Sequence, residues 1–274
     1  MMGHVRIPRL SHFVAFFSMA FLLAPFVIVV GASFDTAEGF AIRFPPRELT
    51  LEWYLSLPQK YMDGFVVSLL VAILVAVCSA VLGLMIALAL VRGRIIGRAF
   101  LESFFRIPVQ IPLVVTGAVM MNFAYQVIAI TGFNPLTNLT ALVVGHSFVA
   151  IPYCVGAIGS VLARLDEGLE EAAASLGATQ WETFWHVTLP ALRPGLLAGM
   201  FYAFIFSFGD VPVSLFLVGP STTTLPIQIF QDMQFDFQPG MLAISAIIVV
   251  FSFLAILTVQ RVVGLDLVLP SRRK

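Results

Sequence analysis

From Ile107 to Ala163 the chain runs 57 residues without one Asp, Glu, Lys or Arg. A helix that crosses a bilayer needs about 20 apolar residues. This stretch therefore holds two such helices, joined at Thr131–Asn138, where Gly132 and Asn134–Pro135 supply turn chemistry. Other low-charge runs cover 10–34, 64–91, 194–218 (interrupted only by Asp210) and 237–260. The expectation is an all-α membrane protein, one domain over 1–274, with spans at about 11–33, 63–91, 104–130, 139–161, 195–218 and 238–260. Six spans place both termini on one side.

Composition agrees and excludes much else. The chain is 59% hydrophobic and 11% charged, against roughly 25% charged in an ordinary soluble domain. A formal net charge of zero removes nucleic acid as a partner, because a phosphate-binding face needs surplus Lys and Arg. The only lysines, Lys60 and Lys274, do not follow a glycine, so no P-loop can cradle ATP here. Cys78 and Cys154 sit in apolar runs as small hydrophobes, and no ligand spacing joins His146 to His186, so no metal site is expected. Arg6, Arg9 and Gly31–Ala32–Ser33 flank the first run as in a signal peptide. That run exceeds the 7–15 residues of a signal core, and an uncleaved helix is expected.

Basic residues give the orientation. With the N-terminus inside, inner segments hold Arg6, Arg9, Arg92, Arg94, Arg98, Arg164, Arg193, Arg261, Arg272, Arg273 and Lys274, while outer ones hold Arg43, Arg47 and Lys60. Positive residues collect inside, which predicts cytoplasmic termini in a bacterial inner membrane. Arg106, at the start of the third span, can snorkel to the same face.

The inner segment 162–194 goes against this charge trend. It carries Asp166, Glu167, Glu170, Glu171 and Glu182 against Arg164 and Arg193. Leu165, Leu169, Ala172 and Leu176 recur at helical spacing, and Gly177 is placed to end that helix. A second amphipathic piece follows with Trp181, Phe184 and Trp185, and Pro190 and Pro194 are expected to break the chain before the next span. A helical hairpin lying on headgroups would suit the tryptophans. Its acids would face anionic lipid, so a protein partner is the better occupant.

Glu171–Ala172–Ala173, Gly177 and Val187–Thr188–Leu189–Pro190 resemble the EAA loop of ABC-importer permeases, E-A-A, three residues, G, nine residues, I-x-L-P. Every spacing matches, and Val187 stands for the usual isoleucine. Phe44–Pro45–Pro46, Leu49–Thr50–Leu51, Trp53–Tyr54, Ser207–Phe208–Gly209–Asp210–Val211, Gly219–Pro220 and Thr224–Leu225–Pro226 are similar to segments of the spermidine/putrescine-type members. Relatives often carry an acid where Gly209 stands. The resemblance implies a type I importer fold with cytoplasmic coupling helices between spans 4 and 5. It implies that Glu170, Glu171, Ala172, Ala173, Gly177, Leu189 and Pro190 dock on ATP-binding subunits, present in two copies and holding ATP and magnesium. A second permease or another copy of this chain, an extracytoplasmic binding protein and surrounding lipid complete the partners. No catalysis and no cofactor is then expected in this chain, and a polyamine is the expected solute.

Asp210 is the one acid deep in an expected span, and a charge there costs at least about 2.5–3.5 kcal/mol on insertion scales. It either lines the solute route, attracting a cation, or is a structural carboxylate with a partner. Arg106–Ile107–Pro108–Val109–Gln110–Ile111–Pro112 opens the third span, where Gln110 lines the route or the prolines make a packing kink. Tyr202 and Phe208 either form an aromatic gate with Phe204 or simply pack. Asp232 and Asp236, outside, meet the binding protein or water. An intramembrane enzyme would need converging titratable groups, and only Asp210 and His146 are on offer, on different helices. A secondary transporter or channel would not need an EAA element.

Overall fold

The computed structural model describes residues 9–36, 42–93, 95–235 and 239–263. Arg6, Arg94, Asp236, Arg272, Arg273 and Lys274, which entered the charge reading, lie outside the described residues.

The described chain is helical: α1 (Arg9–Ala32), α2 (Glu52–Leu55), α3 (Gln59–Arg92), α4 (Arg98–Gln110), α5 (Leu113–Thr131), α6 (Thr140–Leu162), α7 (Gly168–Ser175), α8 (Gln180–Thr183), α9 (Leu189–Gly209), α10 (Ser214–Leu217), α11 (Leu225–Phe235) and α12 (Gly240–Val263). A 3₁₀ turn, Pro135–Thr137, links α5 to α6, and a π turn, Phe184–Thr188, links α8 to α9. Five helical stretches among the described residues are long and apolar enough to cross a membrane, and a shorter apolar one covers Gly240–Leu254.

Three expected boundaries are corrected. The helix expected over 104–130 is two, because Ile111 is extended and Pro112 caps α5. Proline disfavours helical backbone at the preceding residue, and here that preference ends α4 after Gln110. Conversely, Pro190 and Pro194 do not break the chain, since Gln180–Gly209 runs as one helical stretch. A proline clashes with the carbonyl four residues back and lacks an N–H. The π turn just before Pro190 loosens that geometry: Leu189 N–H reaches back five residues, to the Phe184 carbonyl. Helix α9 then stops at Gly209, so the span expected to reach 218 gives way to extended Asp210 and the separate α10.

Two compact units divide the chain. In the first, Met1–Tyr61 with Gln231–Leu257, α1 exposes apolar side chains on all sides along most of its length, as a lipid-facing helix does. The segment after it folds back by hydrogen bonds. Tyr54 Oη lies 2.5 Å from Ser33 Oγ, and Trp53 Nε1 donates to the Asp35 carbonyl at 2.9 Å. Asp35 Oδ1 accepts the Arg47 N–H at 3.2 Å. The Trp53–Tyr54 pair thus ties the loop to the end of α1. Asp232 is not a solvated loop acid: it is buried within α11 and paired with Lys60 at 2.9 Å.

The second unit, Met62–Phe230 with Thr258–Lys274, has its core where α6 lies along α9. Leu142, Ala150, Cys154, Ile158, Leu192 and Ala203 are fully enclosed there. Lipid tails are as apolar as leucine, so helices in a bilayer associate through close van der Waals packing, which small residues permit. Gly195 and Gly199 supply it: a methyl on either would come within about 3 Å of the backbone of Ile158 or Cys154. The α6–α9 pair is the frame on which the remaining elements hang.

Candidate functional site: the 162–194 element and the polar groups of the spans

Residues 162–194 form a helix, a tight turn and a second helix continuous with α9. Helix α7 ends in a Schellman motif, with Ala178 N–H donating to the Ala173 carbonyl at 3.1 Å and Gly177 N–H to that of Ala174 at 3.0 Å. Gly177 holds φ +87°, a region L side chains avoid. Two residues on, Thr179 and Glu182 form a capping box that starts α8: Thr179 N–H donates to Glu182 Oε2 at 2.8 Å, and Glu182 N–H returns to Thr179 Oγ1 at 3.3 Å. The local sequence thus specifies the end of one helix and the start of the next.

The two faces of this element differ. Inward, Thr188 Oγ1 donates to Glu170 Oε1 at 2.8 Å, and the Arg92 guanidinium of α3 meets Glu167 and, at 3.8 Å, Glu170. These acids therefore pair within the chain. Outward, Glu171, Ala172, Leu176 (90% exposed), Trp181 (69% exposed) and Trp185 are uncovered. Ala173 is half-buried, and Leu189 and Pro190 sit half-buried where the π turn enters α9. The residues of the resemblance thus divide: Glu171, Ala172 and Gly177 are exposed, whereas Glu170, Leu189 and Pro190 lie at the joint with the spans.

Asp210 occupies the turn after α9 rather than a mid-helix position. Its Oδ2 accepts the N–H groups of Val213 at 3.0 Å and Ser214 at 2.8 Å, which starts α10, and lies 3.4 Å from His146 Nε2 on α6. Oδ1 has no hydrogen-bond partner among the described residues. His146, 0% exposed, also has Nε2 3.0 Å from Ser214 Oγ and Nδ1 2.8 Å from Ser207 Oγ. The carboxylate favours the tautomer protonated at Nε2, so Nδ1 accepts the Ser207 hydroxyl. Sequence reading saw Asp210 and His146 as unrelated, since 64 positions separate them; the α6–α9 contact brings them together. Ser207, His146 and Asp210 match a nucleophile–base–acid set in residue type, yet all are buried, and the carboxylate is committed to backbone N–H groups. The chemistry they support is bracing α6, α9 and α10.

The other route candidates are scattered. Phe208 is buried, stacked on Phe204 at 5.8 Å and edge-on to Phe65 at 5.8 Å. Tyr202, 41% exposed, stacks on Tyr153 at 4.0 Å. Gln110 is exposed at the end of α4, outside α5.

Sequence reading passed over Asn122, Tyr125 and Gln126. They fall at i, i+3 and i+4 on α5, all exposed, opposite the Thr116–Gly117 and Ala124 face that is buried. Asn122 is the tenth of the 19 residues of α5, so it stands at mid-helix. None of the three side chains hydrogen-bonds within the described residues. An amide moved into hydrocarbon without a partner costs roughly 4–8 kcal/mol. The helical spacing of two amides in an apolar run was the available signal.

Residues 79–265 match the family of binding-protein-dependent transport system inner membrane components, and the chain belongs to that family. The putrescine transport system permease protein PotI of Escherichia coli (strain K12) is 30% identical over 141 residues, 52% of this chain and 50% of that protein. The sulfate transport system permease protein CysT of the same strain is 35% identical over 123 residues, 43% of this chain and 44% of that one. The chain spans about half the length of these curated relatives in the matched regions. The fold is shared with a subunit in the crystal structure of a bacterial ABC transporter involved in the import of the acidic polysaccharide alginate. That match has a TM-score of 0.69 and 15% identity, and covers 94% of this chain and 99% of the other.

Proposed function

We propose that this chain is the permease subunit of an ATP-driven importer in a bacterial inner membrane, with both termini cytoplasmic. It would be one domain of six spans, with Gly240–Val263 as the sixth beside the five long apolar helices. The observation that carries this is the 162–194 element, whose outward side is open while Glu170, Thr188 and Arg92 fasten its inward side. Two ATP-binding subunits, holding ATP and magnesium, dock on Glu171, Ala172, Leu176 and Trp181. Their closure moves the element and, through α9, the spans. A second permease or another copy of this chain completes the channel, and an extracytoplasmic binding protein delivers the solute. The chain itself is not an enzyme: it supplies the path, and its partners hydrolyse the ATP.

Deleting Glu171–Gly177 should abolish ATP-dependent uptake while leaving the protein in the membrane. Uptake that survives the deletion refutes the coupling role. An intramembrane enzyme is disfavoured by the burial of His146 and Asp210, and a secondary transporter gives the open docking face no task.

For the solute, a polyamine is the first reading. It rests on the resemblance of the outer segments to spermidine/putrescine-type permeases and on the similarity to PotI. CysT, named for sulfate, is comparably similar, so another small solute such as an opine, an amino-acid-like amine or a phosphonate is the alternative. Screening solutes for stimulation of ATP hydrolysis, with the complex reconstituted beside its binding protein, decides this. Stimulation by another solute and none by polyamines overturns the first reading.

A further inference from the structure

We infer that Asn122, Tyr125 and Gln126 of α5 line the aqueous route through the membrane and exchange hydrogen bonds with a hydrophilic solute as it passes, without selecting its charge. The inference rests on the permease reading above and extends it to a named surface. Its basis is positional: these three polar side chains share one exposed face, at mid-span, opposite the buried Thr116, Gly117 and Ala124 side of α5. Asn122 and Gln126 are the only amides inside the five long apolar helices among the described residues that are exposed away from the helix ends. Polar groups at that depth face a partner or water rather than lipid.

A neighbouring helix is the poorer occupant. Close helix pairing in a bilayer uses runs of small residues, with Asn or Gln bonding between them; on this face Ala118 and Ala129 are set among the bulkier Val115, Val119, Tyr125 and Gln126, which hold a second helix away from the amides. Their chemistry defines what they accept. Amide carbonyls accept from ammonium groups, while amide N–H and phenol O–H groups donate to oxyanions or hydroxyls. No ionisable carboxylate, amine or guanidinium stands on α5. The face can therefore replace the hydration of a cationic or an anionic solute alike, which leaves discrimination to other components.

Substituted-cysteine labelling of the whole complex in vesicles tests this. In a background where exposed Cys78 is replaced by serine, Asn122→Cys and Gln126→Cys should react with a charged, membrane-impermeant thiosulfonate at least ten times faster than Phe123→Cys. Phe123 is exposed at the same depth on another side of α5. Equal, slow labelling overturns the inference. In parallel, Asn122→Leu with Gln126→Leu should cut solute uptake at least fivefold while the complex still purifies intact with unchanged basal ATP hydrolysis. Dissociation of the complex instead assigns the face to a partner helix and overturns the inference, as does unchanged uptake. If the wild-type complex imports no solute with ATP, the permease reading fails, whereas labelling still reports whether the face is wet.

Discussion

Thr188 and Glu170, eighteen positions apart, meet at 2.8 Å and close the two halves of the 162–194 element onto each other. Hydrogen bonds to charged groups contribute about 1.5–3 kcal/mol, and Glu170 is partly solvated, which favours the lower end. Thr188→Val keeps the shape and removes the donor. Opening of the element should then rise about tenfold, read as faster chymotryptic cleavage after Leu176 in the membrane-embedded complex. An unchanged cleavage rate would show that the contact holds nothing.

Gly177 distinguishes backbone from side chain. At φ +87° an alanine costs about 1–2 kcal/mol, and nothing lies within 4 Å of where its methyl would stand. Any loss in Gly177→Ala is therefore conformational. Asparagine tolerates this region better, so Gly177→Asn should retain more ATP-dependent uptake than Gly177→Ala despite its larger side chain. The reverse order would mean that partner crowding, not backbone geometry, reserves the position for glycine.

The Asp210 carboxylate is bonded chiefly through Oδ2. Asp210→Asn preserves an acceptor oxygen for Val213 and Ser214, and its amide nitrogen can take the position of Oδ1. Asp210→Ala strands both N–H groups and His146. Breaking a buried polar pair costs roughly 3–5 kcal/mol, and each kcal/mol lowers Tm by roughly 2–4 °C in a chain of this size. Thermal unfolding of the purified protein should show the alanine variant several degrees below the asparagine variant. Equal Tm values would remove the bracing role.

Pro190 should be needed for coupling rather than for stability. Pro190→Ala restores an N–H and permits an ordinary α turn where Phe184–Thr188 is now wider. Closing the bulge rotates α8 about the axis of α9 and misdirects Trp181 and Trp185. ATP hydrolysis should then cease to respond to solute-loaded binding protein, with Tm unchanged or higher. A variant that couples normally would show the π turn to be incidental.

The class of fold was legible because the apolar runs are long and their interruptions few, as in the charge-free 107–163. Gly177 could be seen as a helix end because its reason is local. Pro190 misled for the converse reason: a proline removes one hydrogen bond, but whether the helix stops depends on the turn before it, which propensity does not record. The break at Pro112 was read only as a bend. His146 with Asp210, and Arg92 with Glu170, were invisible because each contact depends on which helices pack together. The polar face of α5 was within reach of periodicity, yet a search for charge passes over amides.

Because Gln180–Gly209 is continuous, it acts as an unequal balance arm resting where Thr188 is held by Glu170. At 1.5 Å per residue, about 12 Å of helix lies on the α8 side of that fulcrum and about 31 Å on the other. A tilt about this point moves the Gly209 end between two and three times as far as the α8 end. A displacement of about 3 Å delivered at Trp181 would therefore reach the Asp210 turn as about 9 Å.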